Sequence, residues 1–245
     1  MKKMKLCCIG CGPGDPELIT VKAVKILKEA DVVFAPTSKQ DKPSIALSII
    51  KDYLFESKTK VVNLIFPMIK DRKSLQEHWR INADKIAKEV RKGKKVVYVT
   101  VGDPSLYSTW IYMHNELKNR YKEIEIEIVP GITSIFAFAA EAKMSLVEGD
   151  ENLGIVPACY DINKVRQTAI ACDTIVFLKD GRYFGSVIEM LKNLGFSKDS
   201  TLAIAEEVTT DNNTMSLYKL DEFQLENMEQ QKYFSIMVVK KNAKQ

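Results

Sequence analysis

Leu6-Cys7-Cys8-Ile9-Gly10-Cys11-Gly12-Pro13-Gly14-Asp15-Pro16 opens the chain with an apolar run, a glycine-bearing loop and a proline. Residues 6–10 read as a buried strand, the loop as its exit, and residues 21–30 as a helix with Thr20 as N-cap. A strand feeding a helix through a short loop is the first half of a parallel crossover unit. The loop looks like a dinucleotide fingerprint and fails as one. That fingerprint needs a third glycine at the helix start, where a pyrophosphate rests on free backbone N–H groups. Here Asp15 repels an anion and Pro16 has no N–H. Ala35-Pro36 ends the second strand, where an acidic ribose contact would stand, and there is no G-K-[ST] of a phosphate loop. The loop therefore admits a ligand close to the backbone but does not suit a phosphate. A tight strand exit without a ligand is the alternative.

The alternation continues along the chain. Residues 32–34 read as a strand, 44–54 as a helix, 61–66 as a strand and 74–91 as a long amphipathic helix. Residues 96–100 read as a strand buried on both faces, and 105–119 as a helix. Such alternation predicts a mostly parallel sheet with helices on its faces. After Tyr121 the pattern changes. Glu123-Ile124-Glu125-Ile126-Glu127-Ile128 alternates with period two, as a half-exposed strand should, and Pro130-Gly131 opens a helix to about Ala142. Strands follow near 154–157, 174–178, 201–205, 215–218 and 234–239, with helices near 163–172 and 185–194. The fold class is α/β in two domains. Residues 1–119 carry a mostly parallel sheet and residues 120–245 a mixed one, hinged near 119–122.

Composition narrows the function. The net charge of +4, from 36 Lys and Arg against 32 Asp and Glu, is too slight to imply nucleic acid, but suits a polycarboxylate if the charges gather at a site. No apolar run approaches the roughly 18 residues of a membrane span, and the basic start reads as a first strand and not a signal peptide, so a cytoplasmic protein is expected. Cys8-Ile9-Gly10-Cys11 has redox or metal spacing, but no second pair follows and only His78 and His114 exist, both on helical segments. Buried strand thiols are the better reading, and no metal site is expected.

Two further loops sit at strand ends. Gly102-Asp103-Pro104-Ser105-Leu106-Tyr107-Ser108 follows the buried strand at its carboxyl end, where open α/β sheets place ligands. Glycine gives access, Pro104 fixes a helix start, and Asp103 offers acceptors to a hydroxyl or amine. Pro130-Gly131-Ile132-Thr133-Ser134 presents hydroxyls and helix N–H groups at another strand end. Three polar loops of this kind fit a neutral-to-cationic adenosyl ligand better than a phosphate.

These loops resemble the signatures of the tetrapyrrole (corrin/porphyrin) methylase family: a G-x-G-P-G-D-P-x-L-(I/L)-T start, a G-D-P loop and a P-G-(I/V)-T-S loop. Within the family the chain is similar to the precorrin-2 / cobalt-factor II C(20)-methyltransferases. That likeness rests on Ala35-Pro36-Thr37-Ser38-Lys39, Phe66-Pro67-Met68-Ile69-Lys70-Asp71, the loop from Gly102 to Thr109, Glu148-Gly149-Asp150-Glu151 and Glu206-Glu207-Val208. The resemblance implies S-adenosylmethionine folded into a cleft between two α/β domains, a tetrapyrrole substrate and a homodimer. It implies cofactor contacts at Pro13, Gly102, Asp103, Ser108, Thr133, Ser134, Leu178 and Ala205. Leu178 stands where relatives often carry methionine. The macrocycle is expected under Ser38, Lys39, Met68 and Tyr107.

Methyl transfer from a sulfonium is an in-line displacement by a nucleophilic carbon, which the reduced macrocycle supplies itself. The protein needs chiefly to align the reactants, worth about 7–11 kcal/mol. No Ser-His-Asp set is needed. Tyr107 and Asp103 are the candidates nearest the reacting carbon. Lys39, Lys70, Arg72, Lys179 and Arg182 are candidate carboxylate partners, Arg being suited to bidentate pairing. Rival readings are the same fold acting on uroporphyrinogen III, another precorrin, diphthine or an RNA ribose; a non-catalytic corrinoid-binding protein; and a metal chelatase, which two histidines serve poorly.

Overall fold

The structure is a computed structural model that describes residues 4–54, 58–157, 161–178, 183–194, 196, 199–223 and 235–242. The chain divides into two compact units, residues 1–133 and 134–245.

The first unit alternates strand and helix throughout: β1 (Lys5–Gly10), α1 (Val21–Lys28), β2 (Val32–Thr37), α2 (Ile45–Leu54), β3 (Lys60–Ile65), α3 (Arg72–Arg91), β4 (Val96–Thr100), α4 (Trp110–Arg120) and β5 (Glu125–Val129). The five strands form one sheet in the order β3-β2-β4-β1-β5, parallel at every pairing. Successive side chains on a strand face opposite ways. Leu6, Cys8, Phe34 and Tyr98 therefore pack with Ile86 of α3 and Met113 of α4, while Ile9, Val33, Val97 and Val99 pack with Leu27 of α1 and Ile50 of α2. With helices on both faces, every residue of β4 is buried, as its apolar run predicts. α1 follows β1 on one face and α4 follows the neighbouring β4 on the other. This is the reversal of connection at which open α/β sheets carry their ligands, outside the strands' carboxyl ends.

Three expectations need correction here. The division expected between residues 119 and 120 falls at 133/134. The Glu/Ile stretch is β5, which pairs parallel with β1 from Lys5↔Glu125 to Ile9↔Val129 and so completes the first sheet. As an edge strand it keeps charges half exposed: Glu127 bonds Lys5 at 2.7 Å and Lys22 at 2.5 Å. The hydrogen bonds from Lys22 and Lys5 hold its carboxyl down at about 2. The helix expected from residue 105 begins only at Trp110. Likewise α5 (Ser134–Glu141) begins after the Pro130-Gly131 turn and not within it.

The second unit adds β6 (Leu153–Val156), α6 (Ile162–Ala171), β7 (Thr174–Leu178), α7 (Phe184–Asn193), β8 (Thr201–Glu206), β9 (Thr214–Lys219) and β10 (Ser235–Lys240). Its sheet runs β6-β7-β10-β8-β9. Only β6 and β7 are parallel, so the expected mixed sheet is found. One face packs Val165 and Ala169 of α6 and Val187, Ile188 and Leu191 of α7 against Ile175, Phe177, Ile204 and Met237. Lys240 bonds Glu151 at 3.2 Å, Glu148 at 3.4 Å and the Ser145 carbonyl at 3.1 Å, so the carboxylates of the Glu148-Gly149-Asp150-Glu151 segment hold the end of β10. Among the described residues no helix is long and apolar enough to cross a membrane.

Candidate functional site

All five strands of the first sheet end at one rim, and three loops there are joined backbone to backbone. Gly12 and Gly102 exchange hydrogen bonds, Gly102 N–H to the Gly12 carbonyl at 2.7 Å and Gly12 N–H to the Gly102 carbonyl at 3.3 Å. Cys11 N–H reaches the Thr100 carbonyl at 2.8 Å. A Cβ on Gly131 would stand 2.3 Å from the Gly102 carbonyl oxygen and 2.8 Å from that of Gly10, so only glycine lets the third loop close on the other two. Gly102 differs. Its φ of +68° is in the left-handed region, yet a Cβ there would meet nothing within 4 Å. Its bare face looks onto open space, where a ligand can approach the backbone.

Asp103 ties the second loop to the third. One carboxylate oxygen accepts from the Ser105 N–H at 2.8 Å and from the Ser105 hydroxyl, and the other from the Gly131 N–H at 2.9 Å. Burial opposes the charge on this carboxyl, but the Ser105 and Gly131 hydrogen bonds outweigh it and hold the pKa below its ordinary value. Asp103 is therefore an anion whose oxygens already serve the loop framework. Asp15 is similarly engaged. It caps the short 3₁₀ turn Pro16–Leu18, accepting from the Glu17 N–H at 2.8 Å, which leaves a carboxylate where a pyrophosphate would need donors. Two carboxylates beside an open backbone cradle fit a sulfonium-bearing adenosyl ligand and disfavour a dinucleotide.

Ser108 explains the late start of α4. Its hydroxyl accepts from the Trp110 N–H at 3.1 Å and lies 2.8 Å from the Thr100 hydroxyl, itself buried at the end of β4. Tyr98 similarly meets Thr109 at 3.1 Å. Between these anchors and Asp103, Tyr107 takes a φ of 49°, a left-handed conformation costing a non-glycine residue about 1–2 kcal/mol, with its side chain largely exposed. Strain of this kind collects at functional positions. Thr100, Gly10 and Gly131 carry the framework of the site and are absent from the expected set. The strand-end hydroxyl and the two glycines were the available signals.

The loops after β2 and β3 lie on the same rim. Phe66 N–H bonds the Thr37 carbonyl at 2.8 Å, and the Thr37 hydroxyl donates to the Lys39 and Lys42 carbonyls at 2.9 and 2.7 Å. Ser38 and Lys39 are thereby shaped by Thr37. Asp71 caps α3 through the Ser74 N–H at 2.9 Å, so residues 66–71 end as a helix start with Lys70 and Arg72 exposed and Met68 75% exposed. An exposed methionine beside two exposed cations suits an apolar ring edged with carboxylates.

In the second unit Ser134 is the first residue of α5, Leu178 the last of β7, and Ala205 lies in β8. Lys179 and Arg182 lie outside the described residues. Cys8 and Cys11 are both buried but on opposite faces of the first sheet, packed in different cores, so the C-x-x-C spacing gives no joint site. Burial pushes the Cys11 thiol up to about 12 and the Cys8 thiol well above its usual value. No cluster of three or more metal-ligating side chains occurs among the described residues.

The profile of the Tetrapyrrole (Corrin/Porphyrin) Methylases matches residues 5–224. A probable cobalt-precorrin-2 C(20)-methyltransferase of Methanocaldococcus jannaschii is 38% identical over 233 residues, 95% of this chain and 94% of that one. A cobalt-precorrin-2 C(20)-methyltransferase of Salmonella typhimurium is 36% identical over 191 residues, 78% of this chain and 79% of that one. Among solved structures, a cobalt precorrin-4 methyltransferase superposes with a TM-score of 0.74 at 27% identity, covering 97% of this chain and 95% of its own. The three glycine-bearing loops, the parallel first sheet and the mixed second sheet thus occur in a chain that belongs to the tetrapyrrole (corrin/porphyrin) methylase family.

Proposed function

We propose that this chain is an S-adenosylmethionine-dependent C-methyltransferase acting on carbon 20 of precorrin-2 or cobalt-factor II in cobalamin biosynthesis. The observation that carries the reading is identity of 36–38% to C(20)-methyltransferases along most of the chain. The open face of Gly102 and the carboxylates of Asp15 and Asp103 support the cofactor. When bound, S-adenosylmethionine supplies an electrophilic methyl group on a sulfonium. On the first unit Pro13, Gly102, Asp103, Ser108 and Thr133 serve the cofactor; on the second, Ser134, Leu178 and Ala205 do. Asp103 acts by positioning, since it holds Gly131 and Ser105, while Tyr107 stands at the reacting carbon. Ser38, Lys39, Met68, Lys70 and Arg72 take the macrocycle and its carboxylates, with Lys179 and Arg182 as further partners. A homodimer and a cytoplasmic location belong to the same reading.

Incubation with S-adenosylmethionine and either metal-free precorrin-2 or cobalt-factor II tests it, with product mass and the methylated position read out. One added methyl at carbon 20 is expected. Methylation elsewhere, or turnover only with uroporphyrinogen III, overturns the substrate; tight NAD binding without S-adenosylhomocysteine binding overturns the cofactor.

The substrate face has its own test. The double change Lys70→Ala with Arg72→Ala is expected to raise the tetrapyrrole KM about 10-fold at low ionic strength, with cofactor affinity unchanged. Contacts made equally before and during methyl transfer show in KM. Added salt should narrow the gap, since exposed charges are screened within about 10 Å at 0.1 M. An unchanged KM at low salt would mean that neither cation meets the substrate.

A further inference from the structure

The buried face of α3 carries Ala83, Ile86, Ala87 and Val90, and beside them an amide, Asn82, at 2% exposure. An aliphatic side chain of the same size would fill that place without taking an amide out of water, and asparagine is a poor helix former besides. The amide has a definite partner. Its Nδ2 donates to the Ile65 carbonyl at 2.9 Å. Ile65 is the last residue of β3, an edge strand, and the ladder with β2 ends at the pair Thr37↔Ile65. Asn82 therefore grips the chain where β3 stops and residues 66–71 begin.

Those residues form a strap fixed at both ends to the same helix. At the near end Phe66 N–H bonds the Thr37 carbonyl at 2.8 Å, and the Phe66 ring stands edge-on to buried Tyr98 with centroids 6.5 Å apart. At the far end Asp71 caps α3 through the Ser74 N–H. From Asp71 to Asn82 the helix rises about 16 Å. The chain from Ile65 to Asp71 can reach about 20 Å at most. The strap thus runs mostly extended along α3, and no turn interrupts it before the bend at Lys70. Pro67 stiffens it further. On its outer side stand exposed Met68, Ile69 and Lys70.

We infer that Asn82 is a positioning residue for the substrate face: through the Ile65 carbonyl it sets the register of the strap along α3, and so where Met68 and Lys70 meet the macrocycle. This rests on the proposed substrate reading and adds to it a residue that touches no ligand. In an extended strap a shift at Ile65 is passed on toward Lys70, whereas a slack loop would absorb it. Thr37 carries the same constraint across to the β2 loop. Its carbonyl holds Phe66 while its hydroxyl holds the Lys39 carbonyl, which sets Lys39 relative to the strap.

The test is steady-state methyl transfer from S-adenosylmethionine to precorrin-2 or cobalt-factor II, whichever the wild type methylates, beside S-adenosylhomocysteine calorimetry and thermal unfolding. Asn82→Leu keeps the shape of the side chain and removes the donor. It is expected to raise the tetrapyrrole KM about 5-fold, with kcat and S-adenosylhomocysteine affinity within about 2-fold of the wild type, as lost uniform substrate binding requires. Ile86→Val lies one turn along the same buried face and trims the core without reaching the strap. It is expected to lower the melting temperature and leave KM within about 2-fold. Lys70→Ala should cost less in KM when added to Asn82→Leu than when added to the wild type, because the displaced cation has already lost contact. Should Asn82→Leu fail to fold, Asn82→Ala removes the same donor without adding bulk, and the same rise in KM is expected. An unchanged KM in a folded variant without the amide, an equal rise from Ile86→Val, or additive effects of the Asn82 and Lys70 changes overturns the inference and leaves the substrate reading in place. Wild-type protein that methylates neither tetrapyrrole overturns the substrate reading itself, and the role of Asn82 with it.

Discussion

Gly131→Ala is expected to lower the melting temperature by roughly 6–12 °C, the largest stability effect of any single methyl group at the rim. A Cβ there would stand 2.3 Å from the Gly102 carbonyl oxygen and 2.7 Å from the Gly10 carbonyl carbon. Both are backbone atoms held by strand pairing, so neither can rotate away. Overpacking of a rigid site costs up to about 3 kcal/mol, a 2.3 Å contact with backbone belongs at that upper end, and each kcal/mol moves the midpoint of a chain this size by about 2–4 °C. The same shift would strain the Gly131 N–H bond to Asp103. Gly102→Ala makes the informative contrast. Its Cβ meets nothing within 4 Å, so the fold loses only the left-handed penalty of about 1–2 kcal/mol. The added methyl instead occupies the space open to a ligand. The expected outcome is a pair of opposite signatures: Gly131→Ala unfolds early, while Gly102→Ala stays folded and loses S-adenosylhomocysteine affinity. Thermal unfolding and calorimetry read both. A Gly131→Ala protein as stable as the parent would show that the three loops are not packed backbone on backbone.

The alternation of strand and helix was legible because burial on two faces writes a continuous apolar run, as in residues 96–100. Ligand loops were legible because glycine and proline break those runs at strand ends. Sheet membership was not. An edge strand of a parallel sheet and a half-exposed antiparallel strand both alternate with period two, so Glu125–Val129 carries no mark of its partner β1. The start of α4 was misplaced for a related reason. Asp-Pro is a good helix opening in isolation, but the Asp103 oxygens are claimed by Gly131 and Ser105, and Tyr107 is left-handed. A regular helix is possible only once the Ser108 hydroxyl can receive the Trp110 N–H. The register of the second sheet lay beyond the reach of sequence for a different reason: it is a relation between strands far apart in the chain. The separation of Cys8 from Cys11 was available from strand parity alone.

Asp103→Ala is expected to weaken S-adenosylhomocysteine binding by about 10-fold or more while costing about 1 kcal/mol of stability, the low end of the range for removing a hydrogen-bond partner. The affinity should suffer more than the fold, because the carboxylate joins two loops at the rim and supports no strand of the core. Asp103→Asn should fall between. Its amide oxygen can still accept from the Gly131 N–H, but its amide nitrogen cannot accept from Ser105. The pH dependence follows from the direction of the pKa shift. The folded carboxyl titrates below its ordinary value, so the folded state prefers the charged form. Its contribution is then fully present above the unfolded pKa of about 3.9 and lost as pH falls through the lower folded pKa. The stability difference between the wild type and Asp103→Asn should therefore stay level from neutral pH to about pH 5 and shrink below about pH 4. Denaturant midpoints measured along that series check the sign. A gap that widens on acidification would mean that Asp103 is protonated in the folded state and donates rather than accepts. A large fall in melting temperature with unchanged cofactor affinity would make Asp103 a turn-forming residue only, with the ligand held by other groups on the rim.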